Sequence, residues 1–228
     1  MHEIASRQDR GPAIARARFN NRVAAWQPMT AVGGTLPRPE QHSAYAYETT
    51  TTGQRVLAHV TATGQAHLIS ETGDDVTAAY PELSQLPQLT HDGEAVFDAE
   101  VVRPDRLGRP SPQLLWDLLG THHHEPGDPI ADAGRRPSLQ LVICDVLYAG
   151  QPVLRLPYIQ RRMLLRRLIL PIKDHRIITS HSWPETVAHK LAAIDLRPHG
   201  YTGIVAKNLT STYQPGCRSR NWLTTTPQ

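Results

Sequence analysis

The sequence predicts an α+β fold, and three features carry that prediction. Residues 56–60 and 66–70 are apolar-rich runs joined by Thr61-Ala62-Thr63-Gly64-Gln65, the pattern of a hairpin with a glycine turn. Residues 139–148 form a nearly continuous apolar run with β-branched side chains, which reads as a buried strand. Helix signals lie between and after these strands. Ser111-Pro112 reads as an N-cap with proline at the first helical position, Gly120 as the stop, and residues 157–170 as a second helix. Hairpins with helices at intervals, without strict β-α-β alternation, define the class.

The remaining elements follow in order. Residues 1–26 carry Arg7, Arg10, Arg16, Arg18 and Arg22 and read as a basic tail in which residues 13–25 could form a short helix. Residues 27–44 hold Pro28, Gly33, Gly34, Pro37 and Pro39, an irregular lead-in. A polar threonine run, Thr49 to Thr52, then enters the first hairpin through Gly53. Residues 94–102 read as a strand after Asp92-Gly93. His122, His123 and His124 sit in a Pro/Gly-rich stretch; adjacent histidines chelate poorly, so a solvated loop is expected there. In 157–170, Ile159, Met163, Leu164, Leu168 and Ile169 fall roughly on one side, with Arg161, Arg162, Arg166 and Arg167 on much of the rest. Ser182-Trp183-Pro184-Glu185 is a capping-box pattern, opening a helix to about residue 196. Residues 203–206 read as a short strand and Pro215-Gly216 as a turn.

Composition narrows the function classes. Net charge is +3, with 21 arginines and three lysines, at Lys173, Lys190 and Lys207. Such a charge suits weak contact with phosphate backbones without demanding it. Two cysteines, Cys144 and Cys217, are too few for a disulfide framework and lack metal-ligand spacing. No apolar run approaches the about 20 residues that span a bilayer, and the basic N-terminus lacks an apolar core like that of a secretory signal. A cytoplasmic protein is the expectation.

Four segments carry a resemblance to a known family: Glu48-Thr49-Thr50-Thr51-Thr52-Gly53-Gln54-Arg55, Asp92-Gly93-Glu94, Tyr201-Thr202-Gly203-Ile204-Val205-Ala206-Lys207 and Arg218-Ser219-Arg220-Asn221-Trp222-Leu223. In that order they resemble the adenylation (nucleotidyltransferase) domain of ATP-dependent DNA ligases, most closely the small bacterial type, over residues 27–226. The resemblance implies an ATP-grasp-like nucleotidyltransferase fold of two antiparallel sheets with flanking helices and a nucleotide cleft between them. It implies a domain over 27–228 behind the 1–26 tail; the family's complete ligases continue into an OB-fold domain, which is not expected in this chain. It implies ATP and Mg²⁺ as cofactors and nicked or duplex DNA as a partner, with no membrane.

The resemblance also assigns slots. Glu48 matches the position that recognises the adenine amino group, Arg55 one that reaches ribose or phosphates, and Glu94 the ribose-contacting position. Lys207 is either a phosphate partner or a surface lysine at a strand end. The family's first motif is Glu-x-Lys-x-Asp-Gly-x-Arg, so its nucleophilic lysine falls on Thr50 and its aspartate on Thr52. The adenine-stacking aromatic falls on Cys144, which reads as a buried thiol. The metal-holding glutamate falls on Thr202, and two late lysines on Thr224 and Thr226. Ser70-Glu71-Thr72-Gly73 resembles Ser-Arg-Asn-Gly, with Glu71 in place of arginine. These departures imply a pseudoenzyme that does not self-adenylate and holds ATP weakly or not at all. The alternatives are a nucleotidyltransferase completed by a partner chain and a non-catalytic interaction module. Arg161, Arg162, Arg166, Arg167, Arg218 and Arg220 are either DNA-phosphate contacts or a solvated face.

Overall fold

The computed structural model describes residues 26–89, 93–120, 139–169, 176–183, 186–187 and 195–225. The basic-tail reading up to residue 25, the histidine run and most of the helix proposed after Trp183 lie outside the described residues.

The strands, in chain order, are β1 (Thr30–Gly33), β2 (Tyr45–Thr50), β3 (Gln54–Val60), β4 (Ala66–Ser70), β5 (Ala95–Val102), β6 (Gln140–Ala149), β7 (Ile177–Thr179), β8 (Ser182–Trp183), β9 (Gly203–Asn208) and β10 (Arg218–Thr225). They form two five-stranded sheets, ordered β1-β10-β9-β2-β8 and β4-β3-β5-β6-β7. Both are antiparallel except at one edge each, where β1 runs parallel to β10 and β7 parallel to β6. Ser182 and Trp183 therefore continue a sheet edge beside Glu48 and Tyr47. Among the described residues, helices α1 (Pro112–Leu118) and α2 (Tyr158–Leu168) flank the sheets, with 3-10 turns that include Pro81–Leu89; residues 186–187 are also helical. Ser111 caps α1 as its sequence suggests, its side chain accepting from Leu114 N at 3.4 Å. Among the described residues no helix is long and apolar enough to cross a membrane.

The β3 strand shows why the hairpin forms. Residues 56–60 are buried on both faces, so the strand does not alternate apolar with polar. Val56, Ala58 and Val60 enter the large core under the second sheet, with Phe97, Ala99, Val101, Leu141 and Leu165. Leu57 points the other way, into a smaller cluster with Met29, Val96, Leu147, Val205, Tyr213 and Trp222. That cluster draws residues from both sheets and holds them against each other. Trp26 packs against it, so the fold reaches into the last residue of the expected tail.

The chain passes from the first sheet to the second at residues 51–53. Gly53 lies there because nothing larger fits: a Cβ would stand 2.1 Å from the Val101 carbonyl oxygen. The threonine run is thus the hinge line between the sheets.

Helix α2 inverts one expectation. Its buried residues are Tyr158, Arg161, Arg162 and Leu165, spaced i, i+3, i+4, i+7. The helical period is as the sequence suggests, but two of the inward positions are arginines. Ile159 and Met163, expected on the apolar face, are 43% and 51% exposed. Arg161 forks onto Asp145 with two 2.9 Å bonds and also donates to the Leu156 and Ser211 carbonyls. Asp145 stands beside Asp98 across β5 and β6. Each of these buried aspartates is neutralised by its own arginine, Arg161 and Arg55.

Candidate functional site

Where the sheets face each other they leave a cleft of about 230 Å³. Its walls come from β1, β2, β3, β5, β9 and β10, and from Glu71 just after β4 and Cys144 on β6. The sequence folds this way because β2 and β3 lie in different sheets, joined only by the three residues at Gly53. Side chains at the end of β2 and the start of β3 are forced towards one another.

The deep end is ionic. Glu48 is 1% exposed and Lys207 2%. Lys207 Nζ meets Glu48 Oε2 at 2.9 Å and donates to the Cys144 carbonyl at 3.2 Å. The ammonium lies 4.4 Å from the Trp222 ring centroid and 5.3 Å from that of Tyr158. Ser180 Oγ donates to Glu48 Oε2 at 2.8 Å, and the Tyr158 hydroxyl donates to Oε1. Arg162 stands behind, donating to the hydroxyl and carbonyl of Ser180. Burial alone would push the Glu48 carboxyl up, but Lys207, Arg162 and the Tyr158 hydroxyl outweigh it and hold it below its ordinary value. Burial and the neighbouring Glu48 push the Tyr158 phenol well above its ordinary range.

The side wall holds a second charged group. Arg55 pairs with Asp98 through Nε–Oδ1 at 2.5 Å and Nη2–Oδ2 at 2.7 Å, and the Tyr213 hydroxyl donates to Asp98 Oδ2 at 2.8 Å. Glu100 faces Arg55 across the β3–β5 ladder. Its carboxylate ties down the sheet-to-sheet crossing, accepting from Thr51 Oγ1 and Gly53 N, each at 2.6 Å. Burial raises the Glu100 pKa, against the pull of those two donors and Arg55.

The mouth is built of threonines, with the exposed Glu71 at its rim. Thr50 Oγ1 and Thr202 Oγ1 hydrogen-bond at 3.1 Å, and Thr202 N donates to the Thr50 carbonyl at 2.8 Å. Thr224 Oγ1 is turned onto the Ile204 carbonyl at 3.0 Å. Cys144 is buried as expected, and burial pushes its thiol up to about 12. Among the described residues the Trp222 Nε1–H, buried on the cleft wall, has no hydrogen-bond partner.

Most of the expected site residues meet here. Glu48, Thr50, Arg55, Cys144, Lys207 and Thr224 line the cleft, and Thr202 joins it through Thr50. Lys207 is not the surface lysine considered above; it is committed to Glu48. Glu94 is not among the lining residues. It precedes the far end of β5, where its carbonyl accepts from Gly150 N, while Glu100 occupies the cleft end of the same strand. Asp98-Ala99-Glu100 repeats the acid-small-acid pattern of Asp92-Gly93-Glu94 six residues later, in a strand whose period of two puts both carboxylates on one face. That signal was in the sequence. Thr52 is exposed and outside the lining, and Thr226 is outside the described residues. Tyr158 and Ser180 carry no sequence signal as site residues, and Arg162, read as a DNA-phosphate contact or a solvated residue, stands instead behind the cleft. Among the described residues no group of three or more His, Cys, Asp or Glu side chains could hold a metal ion.

Comparison with known proteins places this architecture. Residues 28–225 match the family described as the ATP dependent DNA ligase domain. The multifunctional non-homologous end joining DNA repair protein LigD of Mycobacterium tuberculosis is 32% identical over 201 residues, covering 86% of this chain and 23% of that protein. A DNA ligase of Methanothrix thermoacetophila is 29% identical over 204 residues, covering 87% of this chain and 35% of that protein. The chain thus spans about a quarter to a third of the length of these curated relatives. The crystal structure of the ligase domain of M. tuberculosis LigD superimposes with a TM-score of 0.69 at 29% identity, over 89% of this chain and 60% of that one. The mycobacterial DNA ligase D complexed with ATP and MES gives 0.67 at 28%, over the same shares. Two facing sheets, a cleft at their crossing and a sequence match across nearly the whole described chain lead to one conclusion: the chain belongs to the ATP-dependent DNA ligase domain family.

Proposed function

We propose that this chain is a ligase-type adenylation domain that does not adenylate itself and retains weak nucleotide binding in its cleft. The observation that carries this reading is the Thr50–Thr202 contact. Where the family resemblance puts an attacking lysine and a metal-holding carboxylate, two hydroxyls bond to each other at 3.1 Å. A threonine hydroxyl is a weak nucleophile without an adjacent base, and no histidine lines the cleft. The lysine that does reach the cleft, Lys207, is held by Glu48 and sits over Trp222.

The residues fit part of ATP and not the rest. The buried Glu48 end, walled by Trp222, Met29 and Val205, has the enclosure and mixed polarity of a small-ligand pocket. A solved relative of the same fold, mycobacterial DNA ligase D, is complexed with ATP, which supports reading this cleft as a nucleotide site. Thr202 is a poor ligand for Mg²⁺, which prefers carboxylate oxygens, so no step is assigned to a metal here. DNA is the macromolecular partner in this reading, in a repair setting like that named for the non-homologous end joining relatives, and the cytoplasm is its compartment. Contacts to its phosphates fall to the exposed Arg166, Arg167, Arg218 and Arg220, since Arg161 and Arg162 are buried. Such binding is weak, indifferent to a nick, and falls steeply with salt.

The test is incubation with α-labelled ATP and Mg²⁺, followed by denaturing electrophoresis. The protein is expected to stay unlabelled. Covalent label on any residue overturns the reading.

A further inference from the structure

We infer that the cleft selects an uncharged nucleoside over the corresponding triphosphate, which is the reverse of what a polyphosphate-binding site does. The inference rests on the reading above, that this cleft is the chain's nucleotide site, and it concerns which half of the ligand the site accepts.

The charges of the lining carry the argument. Three carboxylates face the cleft, Glu48, Glu71 and Glu100, against two cations, Arg55 and Lys207. Both cations are already engaged, Lys207 by Glu48 at 2.9 Å and Arg55 by Asp98 at 2.5 Å. Glu100 spends its oxygens on Thr51 and Gly53 and still brings its negative charge to the wall. Glu71 is exposed at the rim and adds another. A triphosphate entering past these groups loses water and finds carboxylates in place of free cations.

The neutral part of a nucleoside finds partners. Five threonines line the cleft, Thr30, Thr49, Thr50, Thr51 and Thr224. Thr51 and Thr224 already donate to Glu100 and the Ile204 carbonyl and Thr50 bonds Thr202, but a hydroxyl so engaged keeps lone-pair capacity to accept from a sugar hydroxyl, without charge. Trp222 lines the same wall, its ring centroid 4.4 Å from the Lys207 ammonium. Met29, Val205 and Trp222 supply the apolar surface that a heteroaromatic base covers.

The experiment is calorimetric titration of the full 228-residue chain with adenosine, AMP and ATP, without divalent metal, at low and moderate salt. Adenosine is expected to bind tightest and ATP about tenfold or more weaker, a ratio set by one or two like charges at partly screened distances. ATP affinity is expected to rise on adding salt, because salt screens repulsion. Glu71→Arg should narrow the ratio by raising ATP affinity, a change that loss of structure could not produce. ATP binding equal to or tighter than adenosine, or weakening with salt, overturns the inference and leaves the nucleotide-site reading standing. No binding of any of the three overturns both.

Discussion

The deep end of the cleft and its mouth have met opposite fates. Both are slots where the family resemblance puts charged or aromatic groups. At the deep end Glu48 and Lys207 persist, buried and interlocked with Tyr158, Ser180 and Arg162. At the mouth Thr50, Thr202 and Thr224 are neutral and satisfy one another or a nearby carbonyl. The difference lies in what removal costs. A buried ion that loses its partner is destabilising by several kcal/mol, whereas a half-exposed charge at a rim contributes little to folding. The charges at the deep end thus serve the fold, and the neutral threonines of the mouth place no such demand on it.

The largest expected effect tests the deep end. Lys207→Met strands Glu48 without its cation and should destabilise the protein by about 3–5 kcal/mol in urea unfolding. Adding Glu48→Gln should return at least half of that, since it removes the stranded charge. A loss below about 1 kcal/mol for the single variant would place Glu48 and Lys207 among the dispensable groups of the mouth. Next comes the crossing itself. Gly53→Ala must displace the Val101 carbonyl, 2.1 Å from the new Cβ, and should cost about 1–3 kcal/mol.

A third expectation concerns acid. The folded-state pKa of Glu48 lies below its ordinary value of 4.5, so the stability it contributes is present above 4.5. That stability is lost as pH falls from there through the lowered value, because the unfolded chain takes up the proton first. For one group the slope is at most about 1.4 kcal/mol per pH unit. Glu48→Gln should flatten the stability profile in that window, and an unchanged profile would remove Glu48 from the list of groups that hold the fold.

The smallest effects belong to the mouth. Thr50→Val and Thr202→Val should each change stability by no more than about 0.5 kcal/mol. Thr50→Lys should be tolerated equally well and remain unlabelled by ATP, because positioning and charge neutralisation at Thr202 and Thr224 are still missing and such groups act as a unit. Strong labelling of that single variant would show a mouth far less altered than its threonines indicate.

Much of this architecture was legible before any coordinates. The β3–β4 hairpin, the Ser111 cap, the β6 run and the Glu48-to-Arg55 segment follow from local patterns with local causes. What was not legible depended on partners distant in sequence. Arg161 reads as surface in any window of residues 157–170, since arginine is rarely fully buried. Only Asp145, sixteen residues upstream on β6, makes its burial tolerable. Asp92-Gly93-Glu94 matches the family as a tripeptide, and a tripeptide carries no register. The pairing of Arg55 with Glu100 across β3 and β5 supplies it.

Cys144 has a practical consequence. Its thiol is buried in the cleft wall, while the chain's other free cysteine, Cys217, is exposed just before β10. With its ionisation pushed to about 12, Cys144 presents almost no thiolate at neutral pH. An alkylating reagent should therefore modify Cys217 first and Cys144 only when the two sheets part. The slower of the two modification rates becomes a clock for the opening of the cleft, readable by mass in the unmodified protein, and any ligand that holds the sheets together will stop it.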